Sequence, residues 1–275
     1  MVNKLFDRVI VSSDDSPHFL NFWPCVSRAW LKFFGIKPTL ALVTSRPDSH
    51  PLISRLRHFG EVYRIQQIPG IPVPNQAKLA RFVLASQMGD QVCMIEDIDT
   101  IPLQSNFVEG LAKRRKLQKL LAIGHEVYHA DGYSNSRGKF PISNMTAEGW
   151  LFQKLINPKE LSDSELVESF VGTRVFDLKE DISNEPSLFS DESLIRALIE
   201  INDLDHIVQK EVRGVNPLTD WIDRSWWNID EEKLHSGRYV ACNFLRPCKS
   251  NAFRFVEIYK YIYGFLPRPD EVFVV

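Results

Sequence analysis

At 275 residues the chain is long enough to bury a sizeable core. A net charge of −2, with 25% charged residues, excludes bulk electrostatic attraction to nucleic acid. No apolar run approaches the ~20 residues that span a bilayer, and Met1 to Arg8 lacks a signal-peptide core. A soluble, cytoplasmic protein without a transmembrane segment is therefore expected.

The elements alternate in chain order. Arg8 to Ser13 reads as a strand, followed by Asp14-Asp15-Ser16-Pro17 as a turn and cap. His18 to Phe34 reads as a helix kinked near Pro24, Pro38 to Thr44 as a strand, Leu52 to Phe59 as a helix and Val62 to Ile65 as a strand. Asn75 is placed to cap a helix from Gln76 to about Gln87, and Gln91 to Ile95 is the next strand. This alternation predicts an α/β domain with a central, mostly parallel sheet flanked by helices. Ligands of such sheets bind at the carboxyl ends of the strands, where "SSDD" and "EDID" both fall.

Past Ile101 the spacing predicts a strand over Lys119 to Ile123, a polar loop over Val127 to Phe140 and a helix over Trp150 to Ile156. A helix opening at Phe189-Ser190-Asp191-Glu192 and a last amphipathic one over Ala252 to Tyr263 follow. No repeat or linker interrupts the chain, so 1–275 is read as one domain. The spacing of Cys25, Cys93, Cys242 and Cys248 fits neither a zinc knuckle nor a disulfide framework, which predicts reduced thiols.

The chemistry concentrates in "QVCMIEDIDTIPLQ", where carboxylates end an apolar strand. Desolvated carboxylates require a partner cation. In extended backbone Asp97 and Asp99 point to the same side and can converge on one hard cation, Mn²⁺ or Mg²⁺. They can equally pair with arginine, cap a helix at Lys113-Arg114-Arg115-Lys116, or sit solvated. Lys78 and Arg81 share a helix face just upstream, placed to bind phosphates or to neutralise the aspartates. Ser12, Ser13 and Asp14 can hydrogen-bond a nucleoside or form an ordinary turn.

The order "VIVSSDD", "NQAKLAR", "MIEDIDTIPL", "GKFPISNMTAEG", "FSDESLIRAL" and "YVACNFLRP" resembles the GT-A-type (Rossmann-like) glycosyltransferases. It is similar in particular to small glycosyltransferases of large algal viruses, whose setting would be a host cytoplasm. The resemblance implies transfer of a sugar from a nucleotide-sugar, with a UDP-sugar favoured, to a glycan or other hydroxyl acceptor. It implies a nucleotide-binding half over about 1–105 and a donor-sugar and acceptor half over 106–275. Ser12, Ser13 and Asp14 would line the nucleoside pocket, and Lys78, Arg81 and Arg246 would face the donor's phosphates. Asp97 and Asp99 would form the metal-binding D-x-D, with Asp97 also against the donor. Ser143, Asn144 and Thr146 would shape the sugar pocket, and Asp191 or Glu192 would be the acceptor-side base.

One departure stands out: Asn243 occupies the place where a histidine ligand is expected before Arg246-Pro247, leaving Asn243 or His235 as third ligand. His125 and His129 share a loop, and Trp226 and Trp227 offer either a sugar-stacking face or core packing. A dehalogenase-type phosphatase is disfavoured because its Thr would stand two residues after the second Asp, whereas Thr100 follows Asp99 directly. A nucleotidyltransferase would show a glycine-rich phosphate loop, absent from "SSDDSPHF". A non-catalytic nucleotide-sugar-binding module is the remaining alternative.

Overall fold

A computed structural model describes residues 6–105, 110, 113–124, 140–172, 191–212, 220–224 and 227–275. The strands are β1 (Arg8–Asp14), β2 (Thr39–Thr44), β3 (Glu61–Gln66), β4 (Val92–Ile95), β5 (Thr100–Pro102), β6 (Leu120–Ile123), β7 (Met145–Glu148), β8 (Val208–Glu211), β9 (Trp221–Ile222) and β10 (Ala241–Asn243). Seven form the central sheet in the order β3-β2-β1-β4-β7-β6-β8. All pairs are parallel except those made by β7, which runs against both neighbours.

Alternation along the strands splits the core. Val9 and Val11 of β1 face one apolar layer and Ile10 faces the other. Every residue of β2 is buried, as befits a strand covered on both faces. The first layer is filled by helix α1 (Trp23–Phe34) and helix α2 (Pro51–Phe59), with Trp23 and Trp30 fully enclosed. The second is filled by α3 (Val73–Ser86), α4 (Gly149–Ile156), α5 (Asp163–Gly172) and α6 (Asp191–Ile201). The last long helix, α7 (Val256–Tyr263), returns to the first layer.

Three boundaries differ from expectation, each for a local reason. Pro24 does not kink a helix; it lies in the first turn of α1, where no backbone bond is lost. A separate short helix, Pro17–Leu20, precedes it, capped by Ser16, whose hydroxyl accepts from the His18 N–H (3.3 Å). Asn75 is not a cap: α3 begins earlier because Pro74 starts it. Residues Lys249–Phe255 form a 3₁₀ helix, so the α-helical run starts at Val256.

The basic run Lys113-Arg114-Arg115-Lys116 is turn rather than helix, and Arg114 and Arg115 pair with Glu211 and Glu148. It therefore caps nothing at the aspartates. Most of the loop expected over Val127 to Phe140, and residues Phe189 and Ser190, lie outside the described residues. Among the described residues no helix is long and apolar enough to cross a membrane.

A small second sheet, β5-β10-β9, joins distant parts of the chain. β10 runs antiparallel to β5, with Asn243 opposite Thr100, and parallel to β9, with Cys242 opposite Ile222. It anchors the segment that follows Asp99.

The site-bearing helix α3 is held by α4 through a close backbone approach at Gly149. A Cβ there would lie 2.7 Å from Gly89 N and 2.8 Å from Ala85 O, both main-chain atoms that cannot swing aside. Gly149→Ala is expected to destabilise the protein by about 1–3 kcal/mol, read as a lower urea midpoint with an unchanged slope.

Candidate functional site

β1 and β4 are parallel neighbours with Ile10 opposite Ile95, so their carboxyl ends emerge side by side. The Glu96 N–H donates to Ile10 O (3.0 Å), which locks the start of "EDID" to β1 just ahead of Ser12-Ser13-Asp14. α3 packs across β1 and turns Lys78 and Arg81 toward this edge. The result is a cleft of about 250 Å³. It is lined by Ser12, Ser13, Asp14, Lys78, Arg81, Asp97, Asp99, Asp191 and Arg246, all singled out from the sequence, whereas Ser143, Asn144, Thr146, Asn243 and His235 are not among its lining residues.

Arg81 is the pivot. It is 4% exposed, and its guanidinium donates to Asp97 Oδ1 (2.5 Å), to Glu96 O (3.1 Å) and to Asp191 Oδ2 (2.7 Å). Burial disfavours the charged guanidinium, and the Asp97 and Asp191 carboxylates more than offset this. Burial likewise pushes the Asp97 carboxyl up. Arg81, with a hydrogen bond donated by Ser143 Oγ to Asp97 Oδ2 (2.7 Å), outweighs this and holds it well below the ordinary carboxylate range. The sequence offered two roles for Arg81, phosphate binding or neutralising the aspartates; the geometry is that of the second.

Asp99 has a different pairing. Its side chain is 2% exposed, and one oxygen, Oδ2, accepts from both Arg224 (2.8 Å) and Arg246 Nε (2.5 Å). Arg246 is steadied from the other side by Phe19, whose ring centroid lies 4.9 Å from the guanidinium carbon. Arg224 is a residue the sequence reading missed. A lone arginine in "WIDRSWW" carries no motif, and only the β5-β10-β9 pairing brings it to Asp99.

The remaining candidates fall as follows. Asp14 Oδ1 accepts the Ser16 N–H (3.0 Å), and burial raises its carboxyl above the usual value. Ser13 Oγ donates to the Asp14 carbonyl (2.7 Å), so this hydroxyl shapes the turn. Burial lowers the Lys78 ammonium from its ordinary value, opposed by Asp191. Thr146 Oγ1 donates to the Asn144 carbonyl (3.2 Å), and Asn144 is buried with φ at +61°. Of this trio expected at the sugar pocket, Ser143 reaches the cleft's carboxylates directly. Trp227 packs on Phe255 and Phe244, which is core packing; Trp226, His125 and His129 lie outside the described residues.

A divalent ion at Asp97 and Asp99 can be tested against these donors. Both carboxylates are engaged by guanidinium groups. The third expected ligand fails in both forms: Asn243 Oδ1 accepts the Thr100 hydroxyl (2.7 Å), and His235 stands edge-on to Tyr261 and does not line the cleft. Among the described residues no three His, Cys, Asp or Glu side chains converge. The donor set does not fit a dedicated hard-cation site, which needs several oxygens unopposed by fixed cations.

No protein-family model matches the chain, and no curated protein matches it significantly. Solved structures do. The galactosyltransferase LgtC in complex with donor and acceptor sugar analogs is similar at a TM-score of 0.51 and 11% identity, covering 96% of this chain and 98% of that one. An active-site mutant of LgtC is similar at 0.50 and 13% identity, with the same coverage. The fold is therefore that of the GT-A glycosyltransferases.

The Asp97–Arg81 pair links stability to pH. A carboxylate whose folded value is depressed stabilises fully above its unfolded value, ~3.9, and loses that contribution as pH falls toward the folded value of about 2. Denaturant midpoints should therefore fall between about pH 5 and pH 2. Arg81→Ala, which takes the cation from buried Asp191 and from partly exposed Asp97, should cost about 1–3 kcal/mol at pH 7 and flatten that acid limb.

Proposed function

We propose that the protein is a glycosyltransferase that moves a sugar from a nucleotide-sugar donor to a hydroxyl of a glycan or other acceptor. One observation carries the reading: on a GT-A fold, the carboxyl ends of β1 and β4, the face of α3 and the start of α6 converge on a single polar cleft. In open α/β sheets this crevice is where nucleotides bind. A UDP-sugar is the donor proposed, following the resemblance of the ordered motifs.

In the proposed reaction the acceptor oxygen forms a bond to the anomeric carbon, and the bond from that carbon to the donor phosphate breaks. The electron pair stays on the departing nucleoside diphosphate, and the acceptor proton must be taken up. Asp14, with Ser12 and Ser13, faces the nucleoside. Lys78 and Arg246 line the cleft as the cations for the developing phosphate charge. Asp191 is the proposed proton acceptor; Arg81 holds its Oδ2, which fixes the carboxylate in place. A base in that position implies inversion at the anomeric carbon. A Mn²⁺ or Mg²⁺ ion at Asp97 and Asp99, as the resemblance implies, would have to share both carboxylates with their arginines, so metal is a variable in the test below. Four free cysteines suit the cytoplasmic setting proposed with this function.

The reading is tested by thermal melts and calorimetry with UDP-, GDP- and CMP-sugars, each with and without Mn²⁺. The matching donor at 100 times its Kd should add about 2.7 kcal/mol, a rise in Tm of several degrees. No response to any nucleotide would remove the donor site. Nucleotide release that depends on an added glycan separates a transferase from a binding module. Asp191→Asn should lower turnover about 100-fold or more while donor affinity stays within about three-fold; unchanged turnover would strip Asp191 of the base role.

A further inference from the structure

Resting on the nucleotide-sugar reading above, we propose that Arg224 and Arg246, held by Asp99, take the place of a divalent metal in binding the donor's diphosphate. Three observations lead there. First, Asp99 is a deeply buried carboxylate at the strand end, and a single oxygen of it faces two guanidinium groups. At Asp99 itself one carboxylate meets two fixed cations, whereas a hard-cation ligand presents its oxygens unopposed. Second, both arginine side chains remain about two-fifths exposed, 43% for Arg224 and 40% for Arg246. Each presents further N–H groups beyond the one spent on Asp99, and a guanidinium fork matches two phosphate oxygens. Third, the amide that stands in a metal ligand's place, Asn243, is occupied by the Thr100 hydroxyl.

The parts also support one another mechanically. Phe19 packs against the Arg246 guanidinium, and the β5-β10 pairing sets the Asp99 and Arg246 backbones in fixed register, with Phe244 N–H donating to Asp99 O (2.9 Å). The cations are thus held in place before a ligand arrives, which spares the cost of ordering two long side chains on binding. In this scheme Asp99 is a positioning residue that aims two arginines. Lys78, on the facing helix, adds a further positive charge to the same cleft.

The test is calorimetric titration of the full chain with UDP and GDP, in EDTA and in millimolar Mn²⁺. The expected result is binding in EDTA within about three-fold of that in Mn²⁺. Arg246→Ala and Arg224→Ala should each weaken binding in EDTA by about 10- to 100-fold, the loss of a charged hydrogen-bond partner. Each single variant leaves Asp99 one guanidinium, so both should still melt cooperatively as folded proteins, at a somewhat lower Tm. Asp99→Asn retains an acceptor oxygen for the arginines and should shift affinity in EDTA by less than about ten-fold. Binding that appears only with Mn²⁺ and vanishes in Asp99→Asn would overturn the arginine clamp and leave the nucleotide reading standing. Binding in EDTA that both Arg→Ala variants retain would also overturn the clamp. Absence of binding to either nucleotide under both conditions would overturn the clamp and the donor-site reading together.

Discussion

A buried guanidinium is the constraint around which this molecule is arranged. Arg81 sits almost out of solvent and can exist there only as a cation with anionic partners. Reaching out from α3, it finds partners in two segments remote in sequence: the end of β4, through Asp97 and the Glu96 carbonyl, and the first residue of α6, through Asp191. Burial of one side chain thereby fixes the mutual position of the sheet edge and two helices. The carboxylates at the apolar strand end are met by protein cations at Asp97 and Asp99, while Glu96 Oε1 accepts the Asp97 N–H (2.9 Å). Asp97 is balanced by Arg81 and Asp99 by Arg224 and Arg246.

These pairings divide the cleft into two electrical regions. The chain Asp191–Arg81–Asp97 is anionic on balance, two carboxylates about one buried guanidinium. The group Arg224–Asp99–Arg246 is cationic on balance and its arginines reach solvent. A ligand with an anionic tail and a neutral polyhydroxyl head has a place for each end, because sugar hydroxyls can donate to carboxylates while phosphate oxygens accept from guanidinium groups. Fixed dipoles and charges of this kind need no rearrangement when charge develops on a leaving group.

Much of this was legible in the sequence, and the part that was not has a physical reason. β1, β2 and β4 announce themselves because buried parallel strands are continuous apolar runs. The placement of "SSDD" and "EDID" at neighbouring strand ends follows from βαβ order alone. What escaped was set by tertiary pairing. β5, β9 and β10 have two or three residues each, too few to show any period. β7 opposes its neighbours' direction, which no local pattern encodes. The spacing of Lys78 and Arg81 identified a shared helix face but not that Arg81 is buried, since depth depends on what covers the face. Arg224 had no signature at all. Proline misled twice, at Pro24 and Pro74, where a residue read as a helix breaker or passed over is the helix's first turn.

The small sheet has a consequence for how the chain comes into being. Asp99 and Arg246 are separated by 147 residues. At a synthesis rate of roughly 5–20 residues per second, the carboxylate emerges from the ribosome about 7–30 s before its arginine. During that interval the amino-terminal strands can pair, but β5 has no β10 to lie against and Asp99 has no reason to leave water. The cleft is thus closed by a late-arriving segment rather than by the amino-terminal half itself. A nascent chain holds β1, β4 and α3 well before it has the two arginines that face Asp99.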